Sequence, residues 1–248
     1  MAKSIQDNKA IRMLQAAEDG GYGIVGVVSY NLETITAIVR AAERKRSPAQ
    51  ILLFPWSLHY SPLIHLAAAA CRTATVPIVL HMDHAQSEEE KFSKLQIWDS
   101  SIEKGIAVEA ECGRINGGED GVKDTGDLEG LLTSPEEALE FVETGVDFLA
   151  PAFGNVHGNY GGVENIKLDF DRLEGIRKAT NGRVRLVLHG TNTFPDEIMK
   201  DCVKGGMTRI NLNDLVLNTY NKYIAEKYRQ SSFDGTHGEG NKFDSGIN

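Results

Sequence analysis

The chain has 248 residues, of which 41% are hydrophobic and 25% charged, and its formal net charge is -9. That composition is ordinary for a globular protein of one large α/β domain or two small ones, and disorder is not the default reading. The acidic balance argues against a nucleic-acid or anionic-membrane partner, which would meet it mainly by repulsion, and no apolar run approaches the ~18 residues of a membrane span.

In chain order, the first segment, MAKSIQDNKAIRMLQAAEDGG (1–21), is an amphipathic polar stretch with no apolar signal core. Three scattered cysteines, Cys71, Cys112 and Cys202, form no C-x-x-C pair, which predicts a reducing, cytoplasmic location. Gly21-Tyr22-Gly23-Ile24-Val25-Gly26 matches G-x-G-x-x-G. Its glycines follow a helical pattern and enter a strand, the reverse of a dinucleotide-binding turn, so a nicotinamide cofactor is not expected.

Short apolar or β-branched runs follow: GIVGVV (23–28), QILLF (50–54), VPIVLHM (76–82), IAVEAE (106–111), DFLAPAF (147–153), RLVLH (185–189) and TRINL (208–212). Each has the length of a buried parallel strand. Amphipathic stretches such as LETITAIVRAAERKR and LDFDRLEGIRKATN lie between them, and Ser134-Pro135-Glu136-Glu137 reads as a capping box with proline at the first helical position. This alternation predicts a parallel sheet.

Seven strands are one fewer than a (β/α)8 TIM barrel requires. The crowded stretch is QSEEEKFSKLQIWDSSIEKG (86–105), so the expected fold is a TIM barrel with one strand-helix unit absent between Gln86 and Ser87. An open, doubly wound seven-stranded sheet is the alternative. Residues 1–230 are read as a single catalytic domain and 231–248 as an irregular tail. The polar, glycine-rich CGRINGGEDGVKDTGDLEG (112–130) reads as a long functional loop.

Three of the seven histidines occupy equivalent places: His84 after the third strand, His157 after the fifth and His189 at the end of the sixth. A lone histidine at a strand end is more often a hydrogen-bonded structural residue. In a parallel barrel, however, all such ends converge on one face, and three imidazoles with an open fourth position make a catalytic zinc pattern. His81 falls on the opposite strand face by the period of two and is expected in the core or behind the site. His59, His65 and His237 read as surface or packing residues.

Asp83 shares the strand end with His84 but alternation turns it the other way. It is either a turn carboxylate or, beside a cation, a candidate acid or base. Glu109 and Glu111 share one face of IAVEAE, where carboxylates are costly unless paired. Glu111, nearer the strand end, is the better candidate for the site.

The motifs LHMDH, VEAECGRINGGEDGV, GNVHGNYGG and LVLHG, in that order between NLET (31–34) and RINLND (209–214), resemble the class II, zinc-dependent ketose-bisphosphate aldolases, which include the fructose- and tagatose-bisphosphate enzymes. The resemblance implies a TIM barrel with His84, His157 and His189 as zinc ligands and Glu111 at a second metal position. It further implies Asp83 as the acid/base at the cleaved bond and Glu119 as the residue that moves the proton on the carbon next to the ketone. The implied reaction is reversible cleavage of a ketose bisphosphate, fructose 1,6-bisphosphate by default, to dihydroxyacetone phosphate and an aldehyde through a zinc-stabilised enediolate. Another divalent metal could replace zinc, and a monovalent cation could accompany it.

By the same resemblance Gly158, Gly190, Thr191, Asn192, Thr193, Asn211, Asn213 and Asp214 line the substrate and phosphate sites. Gly190-Thr191-Asn192-Thr193 stands where relatives carry a Gly/Ala-Ser-Gly phosphate turn, and Gly161 where many carry a basic or small polar residue. Asp214 would repel a phosphate dianion. These departures keep open a different or less phosphorylated ketose, and a catalytically degenerate ligand-binding barrel. The family implies a homodimer or homotetramer with a sugar phosphate substrate, no nucleic acid and no membrane.

Overall fold

A computed structural model describes residues 7–56, 62–84, 105–117 and 132–233. The chain divides into two compact units, Met1–Asn213 and Asp214–Asn248. The first carries all the described strands.

Helix α1 (Lys9–Gly20) begins at Asn8, whose side chain accepts hydrogen bonds from the amides of Ala10 and Ile11, and ends on Gly21 in the left-handed conformation. Gly21 is thus a helix cap that leads into strand β1 (Ile24–Val28), so the glycine fingerprint is not a phosphate-binding turn. Helix α2 (Leu32–Lys45) starts in a capping box made by Asn31 and Thr34. There follow β2 (Ala49–Leu53), α3 (Leu63–Thr73), β3 (Ile78–Met82), β4 (Glu109–Cys112) and the two-residue β5 (Asn116–Gly117). Helix α4 (Pro135–Glu143) has the expected box, Ser134 with Glu137, and proline in its first turn. The unit is completed by β6 (Phe148–Pro151), β7 (Val156–His157), α5 (Phe170–Thr180), β8 (Arg185–Leu188), α6 (Asp196–Lys204) and β9 (Met207–Leu212).

Seven of these strands form one sheet in the order β3-β2-β1-β9-β8-β6-β4, and every neighbouring pair is parallel. The first strand pairs with the last, and strand order otherwise follows chain order. That is the wrap of a barrel, without the reversal of a doubly wound sheet. The result is a curled half-barrel whose edges are β3 and β4. The expected missing unit falls at this seam, and residues 85–104, which connect its two sides, lie outside the described residues.

Helix α1 covers the strands' N-terminal side, where Met13, Leu14 and Ala17 pack on Ile24, Phe148, Ala150 and Val187. Its first turn also spans the seam. Asn8 Nδ2 donates to the Gly105 carbonyl at 2.8 Å and Lys9 Nζ to the Ile78 carbonyl at 3.1 Å. A second cluster joins Ala138 and Val142 of α4, Leu173 and Ile176 of α5 and Cys202 of α6 to Leu149, Leu186 and Leu188. Each buried leucine, isoleucine or valine of this cluster contributes on the order of 2 kcal/mol.

The second unit opens with α7 (Asp214–Phe233), a 20-residue helix that runs three residues past the expected tail boundary. No described helix is long and apolar enough to cross a membrane.

Candidate metal centre

His84 just after β3, Glu111 in β4, His157 in β7 and His189 just after β8 come together, with one ligand atom from each within 4.8 Å of the others. The ring centroids of His84 lie 5.1 Å from those of His157 and His189, and the latter two are 5.7 Å apart. Three imidazoles and a carboxylate are donors that suit a borderline divalent cation, so the residues present fit such an ion.

Local backbone explains the convergence. The strand ends at Met82, and His84 takes a left-handed conformation with φ 55. Alternation therefore stops before Asp83, and Asp83 Oδ1 comes to 4.0 Å from His84 Nε2. The expectation that Asp83 points away from His84 is corrected by this turn. His157 sits in β7, which pairs with β5 through Asn116–Val156 and Gly117–His157. Gly190 passes so close to this segment that a β-carbon there would lie 2.5 Å from the Val156 carbonyl oxygen. Tyr160 locks the two loops together: its hydroxyl accepts from the Val156 amide and donates to the Gly190 carbonyl, both at 2.7 Å. Asn155 Nδ2 donates to the His189 carbonyl at 3.0 Å.

Two carboxylates clamp His189. Glu109 Oε1 is 3.1 Å from its Nε2 and Glu111 Oε2 is 3.4 Å from its Nδ1. Glu111 Oε2 is also 3.4 Å from His157 Nε2. Burial alone would favour neutral imidazole at His189, but its hydrogen bonds to Glu109 and Glu111 outweigh that and push its pKa up to about 10. Burial likewise opposes ionisation of both glutamates. Arg209 and His81 overcome it at Glu109, and His157 and His189 at Glu111, so both carboxyls are held below their ordinary range. His84 is shifted down, chiefly by burial, toward the neutral form a ligand needs.

Asp83 is 2% exposed, and Asn211 Nδ2 lies 3.4 Å from its Oδ2. His81 lies behind the cluster: its Nε2 is 3.8 Å from Asp83 Oδ1 and 3.9 Å from Glu109 Oε1. His65 is exposed, as expected of a surface residue. His59, His237 and the candidate proton carrier Glu119 lie outside the described residues.

The turn after β8 is ordered around Gly190. Thr191 Oγ1 donates to the Asn211 carbonyl, the Thr191 carbonyl accepts from the Phe194 amide, and Thr193 is held at φ 64. Thr191 and Asn192 are buried. Gly158 turns the chain at φ 95 directly after His157. The Tyr30 hydroxyl donates to Asn213 Oδ1 at 2.7 Å. Asp214 opens α7 in the second unit.

Sequence reasoning missed Arg209, Gln50, Tyr30 and Tyr160. An arginine in the middle of the buried run TRINL was the available signal for Arg209. The others carry no pattern that separates them from ordinary strand or loop residues.

The chain matches the family model described as class-II fructose-bisphosphate aldolase, over residues 8–102 and 95–244. A Coccidioides immitis relative, itself only provisionally named a fructose-bisphosphate aldolase, is 46% identical over 258 aligned positions, covering 90% of this chain and 85% of the relative. A fructose-bisphosphate aldolase of Streptococcus pneumoniae is 34% identical, covering 82% of this chain and 78% of that protein. Among solved structures, one from Coccidioides immitis superposes with a TM-score of 0.83 at 47% identity, covering 90% of this chain and 87% of that one. The YdjI aldolase of Escherichia coli K12 superposes with a TM-score of 0.74 at 26% identity, covering 89% and 87%. With the histidine cluster at the C-terminal ends of a barrel-like parallel sheet, these matches establish that the chain belongs to the class II fructose-bisphosphate aldolase family, a family of lyases.

Proposed function

We propose that this protein is a zinc-dependent aldolase that reversibly cleaves a ketose bisphosphate, with fructose 1,6-bisphosphate as the default substrate. The observation that carries the reading is the convergence of His84, Glu111, His157 and His189 within 4.8 Å beside a buried Asp83. His84, His157 and His189 would hold the ion, with Glu111 as a further or alternative ligand. When bound, such an ion supplies Lewis-acid polarisation of the substrate ketone.

Asp83 takes the proton of the hydroxyl on the aldehyde side as the carbon–carbon bond breaks, and returns it in the reverse direction. The electron pair of that bond passes to the carbon next to the ketone, and protonation there completes the three-carbon product. Glu119, in the GGEDG stretch of the sequence, is the residue proposed to deliver that proton. Asn211, against the second oxygen of Asp83, orients the carboxylate. Gly158 and the Gly190–Thr193 turn are proposed to supply backbone amides and hydroxyls for phosphate, with Asn211 near the end of β9 and Asn213 just after it; Asp214 remains a substrate-site candidate from the sequence resemblance alone.

We also propose a homodimer or homotetramer working in the cytoplasm, on the strength of family membership, with an accessory monovalent cation as in the sequence reading. The barrel is proposed to be one strand-helix unit short of eight. The aligned span of 258 positions exceeds the 248 residues of the whole chain, and the family match breaks in the same region as the seam. Intact mass of the protein from its natural source checks this: 27.2 kDa agrees, and an excess equivalent to ~30 residues refutes it.

The functional test is cleavage of fructose 1,6-bisphosphate by the full chain, with metal content measured on the same sample. Turnover abolished by chelator, restored by zinc and absent in Asp83→Ala supports the proposal. Bound zinc without turnover moves the search to less phosphorylated ketoses, and binding without turnover of any ketose leaves the degenerate barrel that the altered phosphate turn favours.

A further inference from the structure

We infer that Arg209, acting through Glu109, is the positioning residue that orients His189, so that the guanidinium governs how tightly the four-residue cluster holds a divalent cation. This rests on the metal-site reading above.

Arg209 lies in mid-β9, and its side chain is 0% exposed. Its fork reaches three other side chains: Nη2 donates to Glu109 Oε1 at 2.7 Å, Nη1 to Gln50 Oε1 at 3.0 Å and Nε to Asn211 Oδ1 at 2.8 Å. Those partners come from β4, β2 and β9, so one guanidinium bridges elements from widely separated places in the sheet. Removing a charge of this kind from water costs several kcal/mol and is tolerated only with a fixed counter-ion. Glu109 is the carboxylate in direct contact with it among the described residues. Glu109 therefore cannot swing aside without stranding a buried charge.

The consequence falls on His189. The same Oε1 that Arg209 holds lies 3.1 Å from His189 Nε2, while His189 Nδ1 faces Glu111 at 3.4 Å, on the side of the cluster. An imidazole that donates Nε2–H to a fixed carboxylate presents its Nδ1 lone pair to an ion, with tautomer and ring plane both set. A neutral side chain at 209 would leave Glu109 free to rotate, and His189 would lose that orientation. A second branch runs through Asn211, whose Oδ1 accepts from Arg209 and whose Nδ2 faces Asp83 Oδ2 at 3.4 Å. Lysine could still pair with Glu109, but its point charge cannot also satisfy Gln50 and Asn211 in the same plane.

The experiment measures zinc affinity of full-length protein by competition with a chromophoric chelator, together with the visible d–d absorption of the cobalt-loaded protein. Arg209→Gln is expected to weaken zinc binding by roughly 10- to 100-fold and to shift the cobalt bands, and Arg209→Lys to recover part of both. Glu109→Gln keeps the side-chain shape while removing the charge, and serves if Arg209→Gln does not fold by thermal unfolding in chelator. Its expected loss is of the same order. Zinc affinity within about threefold of wild type and unshifted cobalt bands in the folded variants overturn the inference alone. A wild-type protein that binds neither ion overturns the metal-site reading as well.

Discussion

Gly117 runs so close to His157 that a β-carbon at 117 would lie 1.7 Å from the His157 carbonyl oxygen, and its backbone is held at φ 95. Strand β5 is thereby pinned to the segment that carries a candidate ligand. Gly117→Ala is expected to force the β5–β7 pair apart, costing about 2 kcal/mol or more of stability, and to displace His157. Urea unfolding of the metal-free protein measures the first effect and zinc competition the second; an alanine variant equal to wild type in both would show that β5 does not hold His157.

Metal uptake should be strongly proton-linked. In the metal-free protein His189 carries a proton up to pH of about 10, whereas its unfolded value is near 6.5. An ion must expel that proton, so apparent affinity rises with pH through the neutral range and binding releases ~1 proton. Titration calorimetry in two buffers of different ionisation enthalpy reads this directly. The stability consequence has the opposite direction. A raised histidine stabilises the metal-free fold fully below pH 6.5, and that contribution fades as pH climbs toward 10.

The turn at the start of α1 is expected to hold β3 and the segment leading into β4. Asn8→Ala removes both the helix cap and the bond to Gly105, and Lys9→Met removes the bond to Ile78. Losses of about 1–2 kcal/mol for Asn8→Ala and about 1 kcal/mol for Lys9→Met are expected. Hydrogen exchange should rise at the amides of β3 and β4 more than at β9. Uniform protection across the sheet in both variants would remove α1 from this role.

Tyr160→Phe deletes the hydroxyl that joins Val156 to Gly190 and leaves a partly buried amide without its acceptor. A cost of about 1–3 kcal/mol follows from that unsatisfied group. The loops bearing His157 and His189 then lose their cross-link, so zinc dissociation should accelerate. Stopped-flow transfer of zinc to a chelator tests it, and an unchanged rate would confine Tyr160 to stability.

Local signals determined much of this protein from the sequence alone. The seven strands of the sheet are short apolar runs, the cap at Ser134 depends on a residue three positions on, and three histidines follow strands whose C-terminal ends a parallel fold must gather. Each is a property of neighbouring residues, so periodicity and capping chemistry expose it. Tertiary structure decided the rest. The turn after Met82 puts Asp83 beside His84, against strand alternation, because the strand ends one residue too soon for the period to apply. Glu109 joins His189 at 80 residues' separation and Arg209 at 100, and only the curl of the sheet brings those side chains within hydrogen-bond reach. The charge balance of the site, and with it the proton that His189 holds, exists only once those groups are buried together.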